Sequence, residues 1–203
     1  MLKINLNSEL IKKFYEIIQE ISENIKAENY TKAMNAVEEA FKEFFRLGSK
    51  FFNSLSEENL LDMIKTNNIM DIYKCIIMSK LLMEEGIIYE KMYGESESFY
   101  LYQKSLYLYI EACLNLEEEG ELSQFVGDIR ALIEKISDYK LSEKLERQIV
   151  GYYLKEGEYD SAENIVYELL EENPENAKEY AISFYNSLLL KEDEDLNKGR
   201  LPR

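Results

Sequence analysis

The sequence predicts an all-α protein, a right-handed array of antiparallel helical hairpins with about nine helices. Two observations support this fold class. Only two prolines and eight glycines occur among 203 residues, so few positions interrupt a long helix. Apolar side chains also recur at helical spacing in one segment after another, and short turn signals separate these segments. Consecutive hairpins with short connectors are typical of helical arrays.

Turn signals divide the first half of the chain into four predicted helices. Glu28-Asn29 is a turn, and Gly48 is placed to end the second helix. Ser54 and Glu57 have the spacing of a capping box, in which the serine accepts from a helix amide and the glutamate reaches back. Asn67-Asn68 ends the short helix that follows. The predicted helices span about 8–27, 30–47, 55–66 and 69–92.

The second half contains five predicted helices. Gly94, Gly120 and the residues 138–140 are the breaks between them. Asn173 is a candidate N-cap for the last helix, and Pro174 takes its first position, where a missing amide hydrogen has no cost. The predicted helices span about 96–117, 121–137, 141–156, 159–172 and 174–190.

The first predicted helix carries a wider apolar stripe than one buried face requires. We expect this helix either to be sandwiched between two neighbouring helices or to face another subunit. The stripe consists of Leu10, Ile11, Phe14, Tyr15, Ile17, Ile18, Ile21 and Ile25.

Composition and length predict a single helical domain, 1–190, followed by a charged tail, 191–203, that frays. Hydrophobic residues make up 46% of the chain and charged residues 32%, which is typical of globular proteins rather than disordered ones. A chain of this size removes about 70% of its unfolded surface from water on folding. No stretch rich in proline and serine suggests a linker between domains.

The net charge of −16 argues against nucleic acid and anionic membranes as partners, because an acidic surface repels phosphate groups. The N-terminus has no signal-peptide pattern, and no apolar run is long enough to predict a membrane-spanning helix. Cys75 and Cys113 lie in apolar helical segments, where buried thiols in a reducing compartment are the simplest interpretation. We therefore expect a cytoplasmic protein.

The residue inventory argues against an enzyme. Histidine is absent, so the commonest general base and metal ligand is missing. The chain has no P-loop and no G-x-G-x-x-G motif, and two cysteines are too few for a zinc ribbon or an iron–sulfur cluster. The acidic runs at 117–119, 171–172 and 192–195 lie at predicted helix ends and in the tail, where solvated carboxylates are ordinary. No catalytic residue, metal site or cofactor is predicted.

One stretch of the chain carries a repeat signature. Gly157 and Tyr159 fall at a tight turn, Ala162 at a close helix contact and Pro174 after the second helix. This pattern resembles the second half of a tetratricopeptide (TPR) unit, in which small residues let two helices approach closely. A unit that begins at Glu143 places these residues at the TPR spacing.

Two further segments resemble TPR hairpins. A unit that begins at Ser79 places small residues, Gly86 and Ser98, at two close-contact positions, and a unit that begins at Phe14 does so with Ala33 and Ala40. The three starts are about 65 residues apart, roughly twice the TPR period of about 34, so extra helices interrupt the repeat. The resemblance implies a TPR-like α-solenoid. The segment 196–203 also resembles a family of uncharacterised bacterial TPR-like proteins, which has no known activity.

In TPR domains the first helix of each hairpin lines a concave groove that binds a polypeptide. The resemblance therefore implies a groove with several basic residues, suited to a peptide carboxylate or an acidic side chain. The asparagines of the family's carboxylate clamp are replaced here by Ile87 and Gly151. The candidate partner-binding residues are Lys80, Met83, Ile87, Lys91, Lys144, Arg147 and Lys155. The alternative interpretation is that these cations balance neighbouring glutamates on exposed faces.

The leading functional hypothesis is a non-catalytic module that binds a protein or peptide partner in this groove. The alternative is a structural protein that forms a homodimer through helix one or through the tyrosine-rich hairpin at 89–109. In that hairpin, Tyr102 and Tyr109 lie on one predicted core face. Tyr100 and Tyr107 lie off this face and are candidate interface anchors.

Overall fold

The computed structural model describes residues 2–116 and 122–202, so the predicted break at Gly120 and the acidic run 117–119 lie outside the described residues. The fold is all-α, as predicted. Within the described ranges it has eleven α-helices, one 3₁₀ helix and a hairpin of two-residue strands, so the predicted number of about nine was too low. None of these described helices is both long and apolar enough to cross a membrane. The chain divides into two compact units, 1–138 and 139–203, where the sequence suggested one domain.

The first unit is built around a central helical hairpin, α5–α6. Its elements are α1 (Leu2–Lys26), α2 (Tyr30–Phe45), α3 (Ser49–Asn53), α4 (Glu57–Ile64), β1 (Lys65–Thr66), β2 (Ile69–Met70), α5 (Ile72–Tyr93), α6 (Glu95–Asn115), the 3₁₀ helix (Ser123–Gly127) and α7 (Asp128–Ile136). α2 packs on α5, while α4 and α7 pack on α6. Gly94 makes the turn between α5 and α6 with a φ of 99°, a region that glycine adopts without strain.

Helix α1 uses its wide apolar stripe inside the first unit. It packs on α2 and also contacts α5. The ring of Phe14 is fully buried and meets Phe44 of α2 and Phe125 of the 3₁₀ helix edge to face, with centroids 5.7 Å and 5.4 Å apart. These contacts agree with the first of the two interpretations of the stripe, a helix sandwiched between neighbours.

Three local predictions need correction. The second helix ends at Phe45, and Arg46 caps it with a left-handed φ of 66°, whereas Gly48 was predicted to end it. Helix α4 is capped by Ser56, whose hydroxyl accepts from a helix amide at 3.3 Å, whereas Ser54 donates to a backbone carbonyl. Both serines lie just before the helix, so spacing alone did not distinguish them. The helix predicted at 121–137 is the 3₁₀ helix followed by α7.

Asn67 and Asn68 form a strand turn instead of simply ending a helix. Both residues have positive φ, 53° and 62°, as two-residue hairpin turns require, and they connect the paired strands β1 and β2. The long helix that was predicted from residue 69 therefore begins at Ile72. Asp71 caps it by accepting from the amide of Lys74 at 3.1 Å.

The second unit begins with the hairpin that the repeat signature predicted. Its helices are α8 (Glu143–Glu156), α9 (Tyr159–Glu172), α10 (Pro174–Leu189) and α11 (Asp193–Lys198). Gly157 follows α8 with a φ of 75°, and the chain returns as α9, which packs on α8. Pro174 takes the first position of α10, as predicted, but the side chain of Asn173 makes no capping hydrogen bond within the described residues.

One apolar core joins the four helices of the second unit. Its buried members are Val150, Tyr159, Ala162, Val166, Ala181, Phe184, Leu188 and Leu196. Ala162 is fully buried, in line with its predicted role as a close helix contact. Leu196 belongs to the segment for which the sequence suggested a frayed tail, yet it is 3% exposed and lies in α11. Leu196 therefore docks this last helix on the core of the second unit, and Leu201 packs against the same core.

Candidate functional site

Lys80, the first predicted groove residue, is buried rather than open to a partner. It is 8% exposed, and its Nζ lies 2.8 Å from Asp128 Oδ2 and 3.0 Å from Glu84 Oε1. Burial lowers the pKa of the Lys80 amine, but the two carboxylates outweigh this effect, so the pKa lies above its usual value. Lys80 therefore ties α5 to α7, and its assignment to a partner-binding groove needs correction.

The other predicted groove residues of α5 lie in three different environments. Met83 is half-buried, and its Sδ lies 3.9 Å from Lys80 Nζ, so it lies beside the buried charges. Ile87 is also half-buried, whereas Lys91 is exposed. Of these three side chains, only that of Lys91 is exposed.

Glu90 forms a second polar connection between helices of the first unit. Its Oε2 accepts from the Tyr102 hydroxyl of α6 at 2.6 Å, and its Oε1 accepts from Lys135 Nζ of α7 at 2.6 Å. Burial raises the pKa of the Glu90 carboxyl, but the hydrogen bonds from Lys135 and Tyr102 outweigh burial and hold the pKa below its usual value. These partners are all within the chain, so the arrangement holds the helices together.

Arg147, the central predicted groove residue of the second unit, is also engaged within its unit. Its guanidinium pairs with a carboxylate one turn earlier, donates to the Asn176 carbonyl at 3.1 Å and lies 4.4 Å from the centroid of Tyr180. It therefore connects α8 to α10. Lys144 and Lys155, the other two predicted residues on α8, are exposed. The predicted groove residues are thus divided between the two units.

The tyrosine-rich hairpin is mostly core. Tyr102 and Tyr109 are 3% and 0% exposed, as the helical spacing predicted. Tyr107, one of the two candidate interface anchors, is only 4% exposed and therefore cannot reach a partner. Tyr100, the other candidate, is 68% exposed, so it stays a candidate interface anchor.

No grouping of three or more aspartate, glutamate or cysteine side chains in the described ranges is arranged to hold a metal ion. Cys75 and Cys113 are buried free thiols, as predicted. Burial raises the pKa of the Cys75 thiol, which makes it a poor nucleophile because the thiolate is the reactive form. The absence of an enzymatic activity stays a prediction from the sequence.

Glu85 is a second buried acid of α5, and its partner is an amide. It is 1% exposed, and its Oε1 accepts from Asn53 Nδ2 at 2.8 Å. Glu85 Oε2 and Asn53 Oδ1 have no hydrogen-bond partner among the described residues, and in such a buried site the neutral, protonated carboxyl is favoured over the carboxylate. Burial raises the pKa of Glu85 to about 7, with Glu38 adding to the rise and with Asn53, Ser49 and Lys104 opposing it.

Because of Glu85, stability is expected to fall as the pH rises from about 4.5 to about 7. In the unfolded chain this glutamate loses its proton near its ordinary pKa of 4.5, whereas folded Glu85 keeps it to about 7. The folded state then binds more protons over this window, so the unfolding free energy decreases by about 3 kcal/mol by pH 8. Urea unfolding at about pH 5 and pH 8 measures this contribution when wild type is compared with Glu85→Gln.

The glutamine variant keeps a neutral side chain that both donates and accepts, so it is expected to match wild type near pH 5 and to be more stable at pH 8. The exposed Glu97→Gln variant removes the same charge and is expected to follow wild type at both pH values. Equal pH dependence in Glu85→Gln and wild type would contradict the assignment.

An apolar pocket of about 280 Å³ lies on the second unit where α9, α10 and α11 meet. It is lined by Glu163, Tyr185, Leu188, Leu189, Leu196, Leu201 and Pro202. Apolar side chains on and just after α10 are also open to solvent, since Ile182 is 53%, Leu189 65% and Leu190 87% exposed. Sequence reasoning missed this surface, although the ten residues 181–190 contain no charged side chain.

The pocket lies inside a region that a family model recognises. The model of a family of unknown function, DUF6483, matches residues 62–203. The chain belongs to this family. No curated protein and no solved structure matches the chain. The expected membership of an uncharacterised family agrees with this result, while the TPR resemblance stays a hypothesis.

The DUF6483 region includes most of the features described above. It begins in α4 and contains every residue that lines the pocket, together with the Lys80 ion pairs. Asn53, the amide partner of Glu85, lies before the start of the match. The pocket is an open apolar site that falls wholly within the family's region, and we take it as the candidate functional site.

Proposed function

We propose that this chain is a non-catalytic, TPR-like helical module that binds another polypeptide, and that the α10 pocket is its contact site. The observation that carries the proposal is the exposed apolar end of α10. Leu189 and Leu190 are 65% and 87% exposed beside the pocket, in a segment without charge. Single exposed apolar residues are ordinary, but a contiguous group next to a pocket is typical of an interaction site.

The size of the pocket favours a polypeptide side chain as its occupant. Sites for small molecules usually enclose about 300–1,000 Å³ and are mostly apolar with a few polar groups, so this pocket lies just below their usual size. This pocket measures about 280 Å³, and Glu163 and Tyr185 are the polar side chains that line it. A leucine, methionine or phenylalanine anchor on a partner fits such a site, as anchors do at the centres of protein interfaces.

The proposal moves the contact site away from the basic groove implied by the TPR resemblance. Lys80 and Arg147 have carboxylate partners within their own units, so their charges are not available for an acidic peptide. The hairpins α5–α6 and α8–α9 still support a TPR-like solenoid as the proposed architecture. A protein of this kind presents its contact surface on a rigid helical scaffold.

A second copy of the chain is the alternative occupant, but its charge argues against it. The chain carries a net charge of −16, and carboxylates are frequent on α9 and α11 beside the pocket. Self-association through this surface would place like charges near one another, which is unfavourable. A different polypeptide with less acidic surroundings is therefore the better occupant.

Selection from a random 12-residue peptide library, displayed on phage, tests the proposal with wild type, Leu189→Ser and Leu114→Ser as targets. Leu114 is exposed at 38% on α6 of the first unit, so its variant makes the same substitution at a surface position away from the pocket. We expect wild type and the control to enrich peptides with a shared apolar anchor. Leu189→Ser is expected to bind these peptides at least about tenfold more weakly, because the pocket wall has lost its apolar surface.

Unfolding curves and light scattering complete this test. Substitution of a mostly exposed leucine is expected to leave stability nearly unchanged, so lost binding cannot be attributed to unfolding. If no peptides are enriched, or if they bind Leu189→Ser as well as wild type, the proposal is wrong. A dimer that Leu189→Ser dissociates would show that the occupant is a second copy of the chain.

A further inference from the structure

We infer that the α10 pocket selects segments in which the apolar anchor is flanked by lysine or arginine. The inference rests on the proposed function and names the chemistry of the partner. Its basis is the charge around the pocket. Glu163 lines the apolar cavity directly, and its carboxylate accepts from the Tyr185 hydroxyl at 3.0 Å, which fixes an acidic group at the pocket wall.

All charged residues of α9, the helix that carries Glu163, are acidic. Helix α9 has five carboxylates and no basic residue, although the whole chain has 24 basic side chains. The acidic residues of α9 are Asp160, Glu163, Glu168, Glu171 and Glu172. On the other side, the exposed Leu190 is followed within a few residues by the acidic run 192–195. An apolar pocket between two acidic segments attracts cations beside an apolar anchor.

The basic side chains near the pocket neutralise only part of this charge, and each of them already faces a group of the same unit. Lys198 Nζ lies 2.7 Å from Glu194 Oε1. Arg200 lies 3.6 Å from Asp160 Oδ2. Lys191 Nζ lies 5.9 Å from the centroid of the Tyr159 ring. Glu163, by contrast, has an uncharged hydroxyl as its hydrogen-bond donor, so its negative charge is left for a partner's cation.

Three fluorescein-labelled synthetic peptides test the inference by fluorescence anisotropy. All share a central Leu-Leu-Phe-Leu segment, and their flanks carry four lysines, four glutamates or four serines. At about 50 mM NaCl we expect the lysine peptide to bind at least about tenfold more tightly than the glutamate peptide, with the serine peptide between them. At about 500 mM NaCl the ratio is expected to fall severalfold, because salt screens charges at the rim of an interface.

Variants separate selection at the pocket from attraction to an acidic protein. Glu163→Gln combined with Glu192→Gln is expected to reduce the preference for lysine about threefold. Glu95→Gln combined with Glu97→Gln removes the same number of charges from α6 of the first unit and is expected to keep the preference. Leu189→Ser is expected to weaken binding of the lysine peptide at least about tenfold.

The results of these peptide experiments distinguish failure of the inference from failure of the proposed function. Equal binding of the three peptides that Leu189→Ser abolishes would overturn the inference while leaving the proposed function intact. Binding of the lysine peptide that survives Leu189→Ser would mean general attraction to negative charge and would also overturn the inference. If neither these peptides nor the displayed library bind, the proposed function fails as well.

Discussion

The Lys80→Met variant is expected to lose about 3 kcal/mol of unfolding free energy. Lys80 Nζ lies within 3.0 Å of both Glu84 and Asp128, and the Glu84 side chain is only 8% exposed. Methionine retains much of the volume of the lysine stem but removes the charge. It therefore leaves the carboxylate of Glu84 buried without its cation, which is the costly state. Urea unfolding at neutral pH measures the loss.

Two further variants check that the loss comes from buried charge. Adding Glu84→Gln to Lys80→Met is expected to recover part of the lost stability, because the double variant no longer buries an unpaired carboxylate. Lys12→Met breaks an exposed ion pair, in which Lys12 Nζ lies 3.8 Å from Glu16 Oε1, and is expected to change stability by less than about 0.5 kcal/mol. A loss below about 1 kcal/mol in Lys80→Met would contradict the prediction.

The burial of Lys80 also determines which substitutions can test partner binding. The sequence alone favours a charge reversal at Lys80 as a test of partner binding. In the folded chain such a change introduces a negative charge beside Glu84 and Asp128, so it reports on stability rather than on binding. The exposed Leu189 is a better probe, because its side chain contributes little to the fold.

Helical periodicity predicted the elements whose ends have strong local signals. Gly157 predicts the end of α8 and Pro174 predicts the start of α10, and the structure agrees with both. Asn67-Asn68 is an equally local signal, but it predicts only a helix break, because a two-residue strand has no periodicity to recognise.

The partners of buried polar residues were not predictable in the same way. Lys80 meets Asp128 across 48 positions of the chain, and Glu85 meets Asn53 across 32. Neither pair has a local spacing rule. The prediction that Lys80 lines a groove depended on the register of the TPR repeat. The side of α5 that faces α7 is instead decided by tertiary packing, which the sequence does not show. Leu196 forms part of the α10 pocket because it docks in the core of the second unit. The charged sequence of residues 191–203 did not predict this docking.

The Gly86→Val variant is expected to lower the unfolding free energy by about 3 kcal/mol through overpacking. Gly86 lies where α5 crosses α6, and a Cβ atom there would lie 2.7 Å from Cε1 of Tyr102 and 2.9 Å from its Cδ1. The Tyr102 ring cannot move away easily, because it is 3% exposed and its hydroxyl donates to Glu90 at 2.6 Å. Helix propensity favours replacing glycine by about 0.5 kcal/mol, which is smaller than the steric cost.

Chemical unfolding of three comparison variants decides whether this contact is the cause. At Gly127, no described heavy atom outside the immediate neighbours lies within 4 Å of an added Cβ, so Gly127→Val is expected to change stability by less than about 0.5 kcal/mol. Tyr102→Leu removes the ring, so adding Gly86→Val to it is expected to cost less than in wild type. An equal cost in both backgrounds would show that the strain arises elsewhere, since a clash with the ring requires the ring to be present.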